Sequence, residues 1–405
     1  MKTSTSKRLR WNVAIWLAAG LFMTSTAGMA SGPILPDPKA EARHHPQIEE
    51  TANGIPLVNI TAPSSGGVSR NEYEMFNVPD KGAILNNSYT LSKTELAGYV
   101  PGNNNMAERP AKIIVNEVTG TGSTSMDGFL EVAGNRADVV IANPNGITVN
   151  GGGFINTGKA FLTTGKPVYD GEDHLQRFDI TGGDILIEGK GLGGKETESL
   201  AILSRAVKIN AGIWAEDLHI TTGANTVDAK TLEASAIEGK GGRPAFALDT
   251  AAIGGMYAGR ITLVGTEKGL GVNNSGTWSA EDNLTLDWNG DLKNSGTIYS
   301  KGNTDLRASR LENDKTIAAE RNLSAAAKEN IRNQGKLLAG ENMGIYAGKT
   351  LDNAGHAMES GNNLSIETGD AINNAAGTIK SGGSQQIKAG HTLTNTEGTL
   401  AADGN

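Results

Sequence analysis

Few side chains in this sequence are spaced for covalent or metal chemistry. The run Gly189-Lys190-Gly191-Leu192-Gly193-Gly194-Lys195-Glu196 follows a phosphate-cradling loop up to its last position. Ser or Thr is required there to hold Mg²⁺, and Glu196 would repel phosphate instead, so the run reads as a loop between strands. The six histidines, at positions 44, 45, 174, 219, 356 and 391, show no HExxH or paired-ligand spacing. A polysaccharide-cleaving β-helix is the rival reading from the enzyme class. It would have to cluster carboxylates with Arg or Lys on one face, often around Ca²⁺. Asp138, Asp184, Asp217 and Asp228 instead lie in separate motifs, where solvated strand-end charges account for them. With 0 Cys there is no disulfide framework, thiolate site or thiol nucleophile. The triplets Asn283-Leu-Thr285, Asn322-Leu-Ser324 and Asn363-Leu-Ser365 have the form of glycosylation acceptors, but they recur because the sequence around them recurs. The expectation is therefore no catalytic residue, no cofactor and no metal; what remains is the hydrogen-bonding chemistry of amides.

Those amides need elements to hold them. The chain has 405 residues, with 54 Gly and 36 Asn but only 5 Trp, 7 Tyr and 7 Phe. A formal net charge of −8 makes it a poor electrostatic match for nucleic acid. Lys2, Lys7, Arg8 and Arg10 precede an apolar stretch from Trp11 to Met23, and small residues follow around Ala27 and Ala30. That order predicts a secretory signal peptide over residues 1–30, cleaved after Ala27 or Ala30, and its core is too short for a membrane anchor. Half of the 12 prolines lie between Pro33 and Pro63, which predicts an extended linker or edge strand up to about Gly66. Beyond it come short β-branched runs with turn residues on both sides, such as Ile113-Ile114-Val115, Val139-Val140-Ile141 and Ile185-Leu186-Ile187. No window sustains a helical period, so the chain is predicted to be all-β.

The last third is periodic. Asn274, Asn294, Asn313, Asn333, Asn353, Asn374 and Asn395 recur at steps of about 20 residues, most with Gly close behind, and Asn283, Asn303, Asn322, Asn342 and Asn363 form a second series out of phase. Short apolar alternations such as Leu284-Thr-Leu286 lie between. This is the sequence form of coils in a right-handed parallel β-helix, or β-solenoid. The Gly and Asn are expected to supply left-handed corner angles, and stacked Asn to form hydrogen-bonded ladders. The series reaches Asn405 without a polar capping unit, which predicts a repeat that continues in the natural protein.

Asn143-Pro144-Asn145-Gly146-Ile147 suits a type I turn between two strands. Together with Gly67-Val68-Ser69-Arg70-Asn71, Phe76-Asn77-Val78, Val115-Asn116-Glu117-Val118, Ala137-Asp138-Val139-Val140-Ile141-Ala142 and Gly153-Phe154-Ile155-Asn156-Thr157, it carries a family resemblance. Over about residues 50–260 the chain resembles the N-terminal secretion domain of two-partner secretion exoproteins, the filamentous haemagglutinin, haemolysin and contact-dependent inhibition toxin family. There are two departures. Asn103-Asn104-Asn105-Met106 stands where the family has a second Asn-Pro motif, which predicts a looser turn, and no Cys-x-x-Cys follows Ile147.

The resemblance implies a parallel β-helix with a capping N-terminal β region and extra-helical hairpins. It also implies a secretion domain over 67–270, after a Pro-rich segment and cap over 31–66 and before repeats over 271–405. Its implied partners are the Sec machinery, an outer-membrane β-barrel transporter with periplasmic recognition domains, and a host or neighbouring-cell surface receptor. The implied location is the exterior of a Gram-negative bacterium, reached through the periplasm. The chain would then be the base of an adhesin, or the delivery stalk of a contact-dependent inhibition toxin or haemolysin. Asn71, Asn103, Asn105, Asn116, Asn143, Pro144, Asn145, Gly146 and Ile147 are the residues implied in transporter recognition or folding.

Overall fold

The computed structural model describes residues 33–106 and 109–404; the signal-peptide reading lies outside the described residues. Short strands with one face apolar can be buried only by stacking, and here they stack coil upon coil into three parallel ribbons. The first runs from Pro56–Asn59 through Ala83–Asn87, Phe129–Gly134 and Gly152–Ile155 to Thr399–Ala402. The second runs from Val68–Phe76 through Ile113–Val118, Ala137–Ala142 and Thr157–Thr163 to Gln385–Lys388. The third runs from Thr124–Met126 through Ile147–Val149 and Asp184–Ile187 to Thr392–Thr394. Two long strands, Gly212–Thr222 and Gly255–Gly265, each serve the first ribbon with one half and the second with the other. The result is an all-β solenoid of about 14 turns.

Alternate residues of each strand point inward, so one continuous apolar core runs through the coils. In the repeats it is mostly Leu, Ile and Ala, with Trp278 and Trp288 filling the two coils that join the irregular part to the regular one. Both indoles are fully buried and both N–H groups are satisfied, Trp278 by Thr250 Oγ1 at 3.0 Å and Trp288 by the Leu270 carbonyl at 2.8 Å.

The proline-rich segment differs from the linker predicted for it. Ile34–Pro36 pairs antiparallel with Val68–Phe76, and Gln47–Glu50 pairs antiparallel with Pro56–Asn59. Ile34, Ile55, Leu57, Val58 and Ile60 are buried, so the segment is a packed cap over the first coil's open edges. The prolines sit where no ladder N–H is needed, which is why they do not prevent it. Outside the coils, Lys166–Tyr169, Leu175–Ile180, Asn225–Asp228 and Ala234–Ala236 form an antiparallel sheet. It covers the outward-facing Val68, Val115, Val140 and Phe161 of the second ribbon. A hairpin of Ser92–Thr94 and Gly98–Val100 covers Ile55, Leu57 and Ile84 on the first.

The corner expectation needs correction. Asn156 alone among the described asparagines has a left-handed backbone, with φ 53°. The repeat asparagines act through their side chains: Asn274, Asn294, Asn313, Asn333, Asn353 and Asn374 each donate from Nδ2 to Oδ1 of the next in the series, at 2.7–2.8 Å. The glycines behind them are required by proximity. A Cβ on Gly296 or Gly335 would stand 2.0 Å from a carbonyl oxygen of the preceding coil. Within the repeats over 271–404 a left-handed backbone appears only in the last three coils, at Gly355, Ala376 and Glu397; the earlier coils do use left-handed glycines, such as Gly134, Gly151 and Gly183.

Candidate functional site

The strand Ala137–Ala142 ends at Asn143, because Pro144 lacks a donor and presets the next φ for a turn. Gly146 N–H donates to the Asn143 carbonyl at 3.1 Å, closing the type I turn, and Gly146 itself takes φ 111°. The Asn143 side chain is fully buried. Its Oδ1 accepts the Asn145 N–H at 2.9 Å, and its Nδ2 donates to the Gly122 carbonyl at 2.9 Å and Thr124 Oγ1 at 3.0 Å. Asn145 Nδ2 reaches the Gly120 carbonyl at 2.8 Å. The turn thus holds the 120–124 loop of the preceding coil in place. Pro144 and Asn145 face solvent, whereas Ile147 is core, paired with Thr124 and Ile185.

The proline-free counterpart is no looser. Met106 N–H donates to the Asn103 carbonyl at 3.1 Å, and Asn103 Oδ1 accepts the Asn105 N–H at 3.0 Å, matching the bonds at Asn143. The Asn side chain fixes this turn by itself. Asn103 and Asn105 both donate from Nδ2 to the Ile60 carbonyl, at 2.9 and 3.1 Å. On the other side of the same peptide bond, Thr61 N–H donates to Asn71 Oδ1 at 2.9 Å. Three of the sequence-identified asparagines therefore grip one peptide, where the cap turns into the first full coil. Asn116 lies directly beneath Asn71 in the second ribbon, accepts Tyr73 O–H at 3.0 Å and donates to the Val140 carbonyl at 3.2 Å. The predicted residues thus form two clamps, one at residues 60–71 and one at 143–147, with Asn116 between them.

Sequence reasoning missed two features. Asn59, Asn86 and Asn87 are buried clamps as well; Asn87 binds Ala111 through both its amide atoms and also reaches the Asn135 carbonyl. A paired Asn86-Asn87 inside a strand was the available signal. The second is an ion network. His44 Nδ1 lies 3.1 Å from Glu72, Arg70 bridges Glu72 at 2.8 Å and Glu117 at 3.2 Å, and the Arg70 guanidinium sits 4.4 Å from the Tyr169 ring centroid. Arg43 reaches Asp173 at 2.6 Å. Cap, second ribbon and outer sheet are joined here. Burial pushes the His44 pKa down and the Glu117 pKa up, the latter opposed by Arg70. No sequence spacing marks this network, because the chain supplies its members from four distant segments.

Asp138 accepts the Lys159 N–H, Asp217 pairs with Arg260, Asp228 caps its own turn, and Asp184 opens a strand elsewhere. Among the described residues, no three His, Asp or Glu are grouped to hold a metal ion. The Gly189–Glu196 run, read from sequence as a loop, contains the first-ribbon strand Leu192–Gly194, whose Leu192 is core; the rest of the run is loop, with positive φ at Gly189 and Gly191.

A capped parallel β-solenoid with side-chain clamps at its first coils and regular Asn-laddered coils after them is the class this molecule defines. A family profile described as the TPS secretion domain matches residues 33–300, and one described as the haemagglutinin repeat matches 299–355 and 345–405. The chain belongs to the two-partner secretion exoproteins. It is 41% identical over 298 residues to a "Toxin CdiA" of Yersinia pestis, covering 68% of this chain and 9% of that protein. It is 38% identical over 354 residues to a "16S rRNA endonuclease CdiA" of Enterobacter cloacae, covering 80% of this chain and 10% of the relative. The chain thus spans about a tenth of the length of these relatives. A crystal structure of the filamentous haemagglutinin secretion domain matches with a TM-score of 0.54 and 25% identity, covering 89% of this chain and 99% of that one.

Proposed function

We propose that this region directs export through a dedicated outer-membrane β-barrel transporter and starts the folding of the exported chain as the base of a filamentous exoprotein, acting by folding rather than by catalysis. The observation that carries the reading is the cap. The antiparallel strands Ile34–Pro36 and Gln47–Glu50 close the first coil's edges, and the ribbon strands after it pair in parallel with the coil before them. A chain emerging N-terminus first can then add coils one at a time onto a finished edge, and each added coil opposes backsliding. The Asn clamps at 60–71 and 143–147 suit this role, since they fix the first corners before regular coils exist. Pro144 and Asn145 are the exposed members and the ones a transporter's periplasmic recognition domains would reach, after Sec-dependent passage through the inner membrane.

The test is deletion of the partner transporter. The protein should then accumulate in the periplasm and vanish from the surface and medium; unchanged surface display would overturn the reading. A second reading, the delivery stalk of a contact-dependent inhibition toxin aimed at a neighbouring-cell receptor, is favoured by the 38–41% identity to the CdiA toxins over this region. Fusing the region to a known toxin domain and scoring killing of neighbouring cells distinguishes the stalk from an adhesin base.

A further inference from the structure

Most outward apolar columns of the early coils are covered, those of the second ribbon by the antiparallel sheet and those at the start of the first by the hairpin. One column of the first ribbon is not. Followed through strand register it reads Phe129, Gly153, Gly193, Trp214, Tyr257, Ser279, Tyr299. Phe129, Trp214 and Tyr257 are 42, 36 and 38% exposed. The Trp214 and Tyr257 rings are nearly parallel, at an interplanar angle of 16° with centroids 6.2 Å apart.

Glycines make room for these rings. A Cβ on Gly212 would stand 2.5 Å from the Trp214 ring, one on Gly255 2.8 Å from Tyr257, and one on Gly153 2.4 Å from Phe129. Each ring therefore lies back against the sheet in space that any other residue would occupy. Between Phe129 and Trp214 the surface at Gly193 is open, with nothing nearer than 3.8 Å to a Cβ built there. The column repeats at about 4.8 Å per coil, so the rings lie in one line along the coil axis. Glu216, Glu281, Lys301 and Glu320 flank that line two residues further along each strand and are exposed. Glu281 pairs with Lys301, and Glu320 accepts the Tyr299 hydroxyl. Thr277 and Thr297 flank it on the other side.

An apolar floor of ring faces, bordered by hydroxyl and carboxylate acceptors and donors, matches the two-sided chemistry of a pyranose. The sugar's C–H face stacks on the ring and its equatorial hydroxyls reach the rim. The coil step is close to the advance of one pyranose unit, so a linear chain can follow the column and meet successive rings. The rim is mostly acidic on a chain of net charge −8, which repels a sulfated or uronic glycan. We propose that the Phe129–Tyr299 column binds a neutral polysaccharide chain lying along the coil axis. This is separate from the export reading, because it concerns the folded, purified protein and survives failure of the transporter test.

The experiment compares the purified full chain with a Trp214→Ala/Tyr257→Ala variant, using neutral hexasaccharides of glucose, galactose and N-acetylglucosamine as probes alongside heparin. Circular dichroism and thermal unfolding confirm that the variant folds; both side chains are exposed, so its coils should be retained. At least one neutral hexasaccharide should bind and change tryptophan emission, and the double variant should lose at least about tenfold in affinity. Tyr346→Ala, a more exposed tyrosine on the second ribbon, should bind like the parent. Gly193→Val, which fills the open stretch of the column, should weaken binding with the rings intact. Absence of binding by every neutral probe, equal binding by the double variant, or preference for heparin overturns the proposal. So does a concentration-dependent dimer lost in the double variant, which would make a second copy the occupant.

Discussion

Asn143 and Asn313 are both fully buried amides that tie one coil to another, yet they work in opposite settings. Asn143 closes a turn whose own hydrogen bonds recur at Asn103, but its reach to Gly122 and Thr124 is particular to its coil. Asn313 is one rung among seven, accepting from Asn294 and donating to Asn333 with the geometry its neighbours also show. In residues 33–270, loops, an outer sheet and a cap interrupt the coils, so each corner needs its own clamp. In residues 271–404 a single solution is repeated. The irregular part therefore concentrates its folding information in particular residues, whereas the regular part distributes it.

The comparison breaks most visibly at Asn143. Asn143→Ala removes the partner of the buried Thr124 hydroxyl and of the Asn145 N–H and should cost about 2–4 kcal/mol in urea unfolding, with a several-fold fall in secreted protein. If secretion is unchanged at equal expression, the clamp is not special. In the repeats, Gly335→Ala should cost about 1–3 kcal/mol by pushing Lys315 of the preceding coil away, although the new side chain is a methyl. Asn313→Ala should cost about 1–3 kcal/mol and leave secretion near the parent level, because the other rungs remain. A secretion defect as large as that of Asn143→Ala would erase the distinction.

A pH measurement sharpens it further. His219, on the second ribbon of the irregular part, has its pKa pushed down to about 4 by burial. The unfolded chain, at about 6.5, takes up the proton first, so stability is full above about pH 6.5 and falls as pH drops towards 4. Urea midpoints at pH 7.5 and 5 should show this loss in the parent and less of it in His219→Gln. The smallest expected effect has the opposite sign. Gly344→Ala enters open space on a repeat strand and should stabilise by about 0.5–1 kcal/mol, seen as a raised unfolding midpoint.

Much of this was legible beforehand in particular residues. The 20-residue spacing of Asn and Gly announced the solenoid, and the asparagines at 71, 103, 105, 116 and 143 all carry hydrogen bonds to the backbone of another segment. The reason for the repeat glycines was misread. Sequence shows that a small residue is needed but does not separate a left-handed angle from a carbonyl 2 Å away. The proline-rich start was misread too, because proline density reports a missing donor and says nothing of the apolar partners that Ile34, Leu57 and Ile60 find.

What the sequence determined by itself is periodic or local: the strand class, the coil register, the Asn ladders and the turn at Asn143. These follow from spacing and from a side chain bonding its own neighbours. What only the tertiary structure decided is everything that joins distant coils. Gripping of the 60–61 peptide from two sides, the His44–Arg70–Glu117–Tyr169 network and the alignment of Phe129 with Trp214 and Tyr257 arise from stacking. Stacking turns separations of tens of residues into one coil's rise, and the irregular loops between these residues hide that conversion from any fixed period.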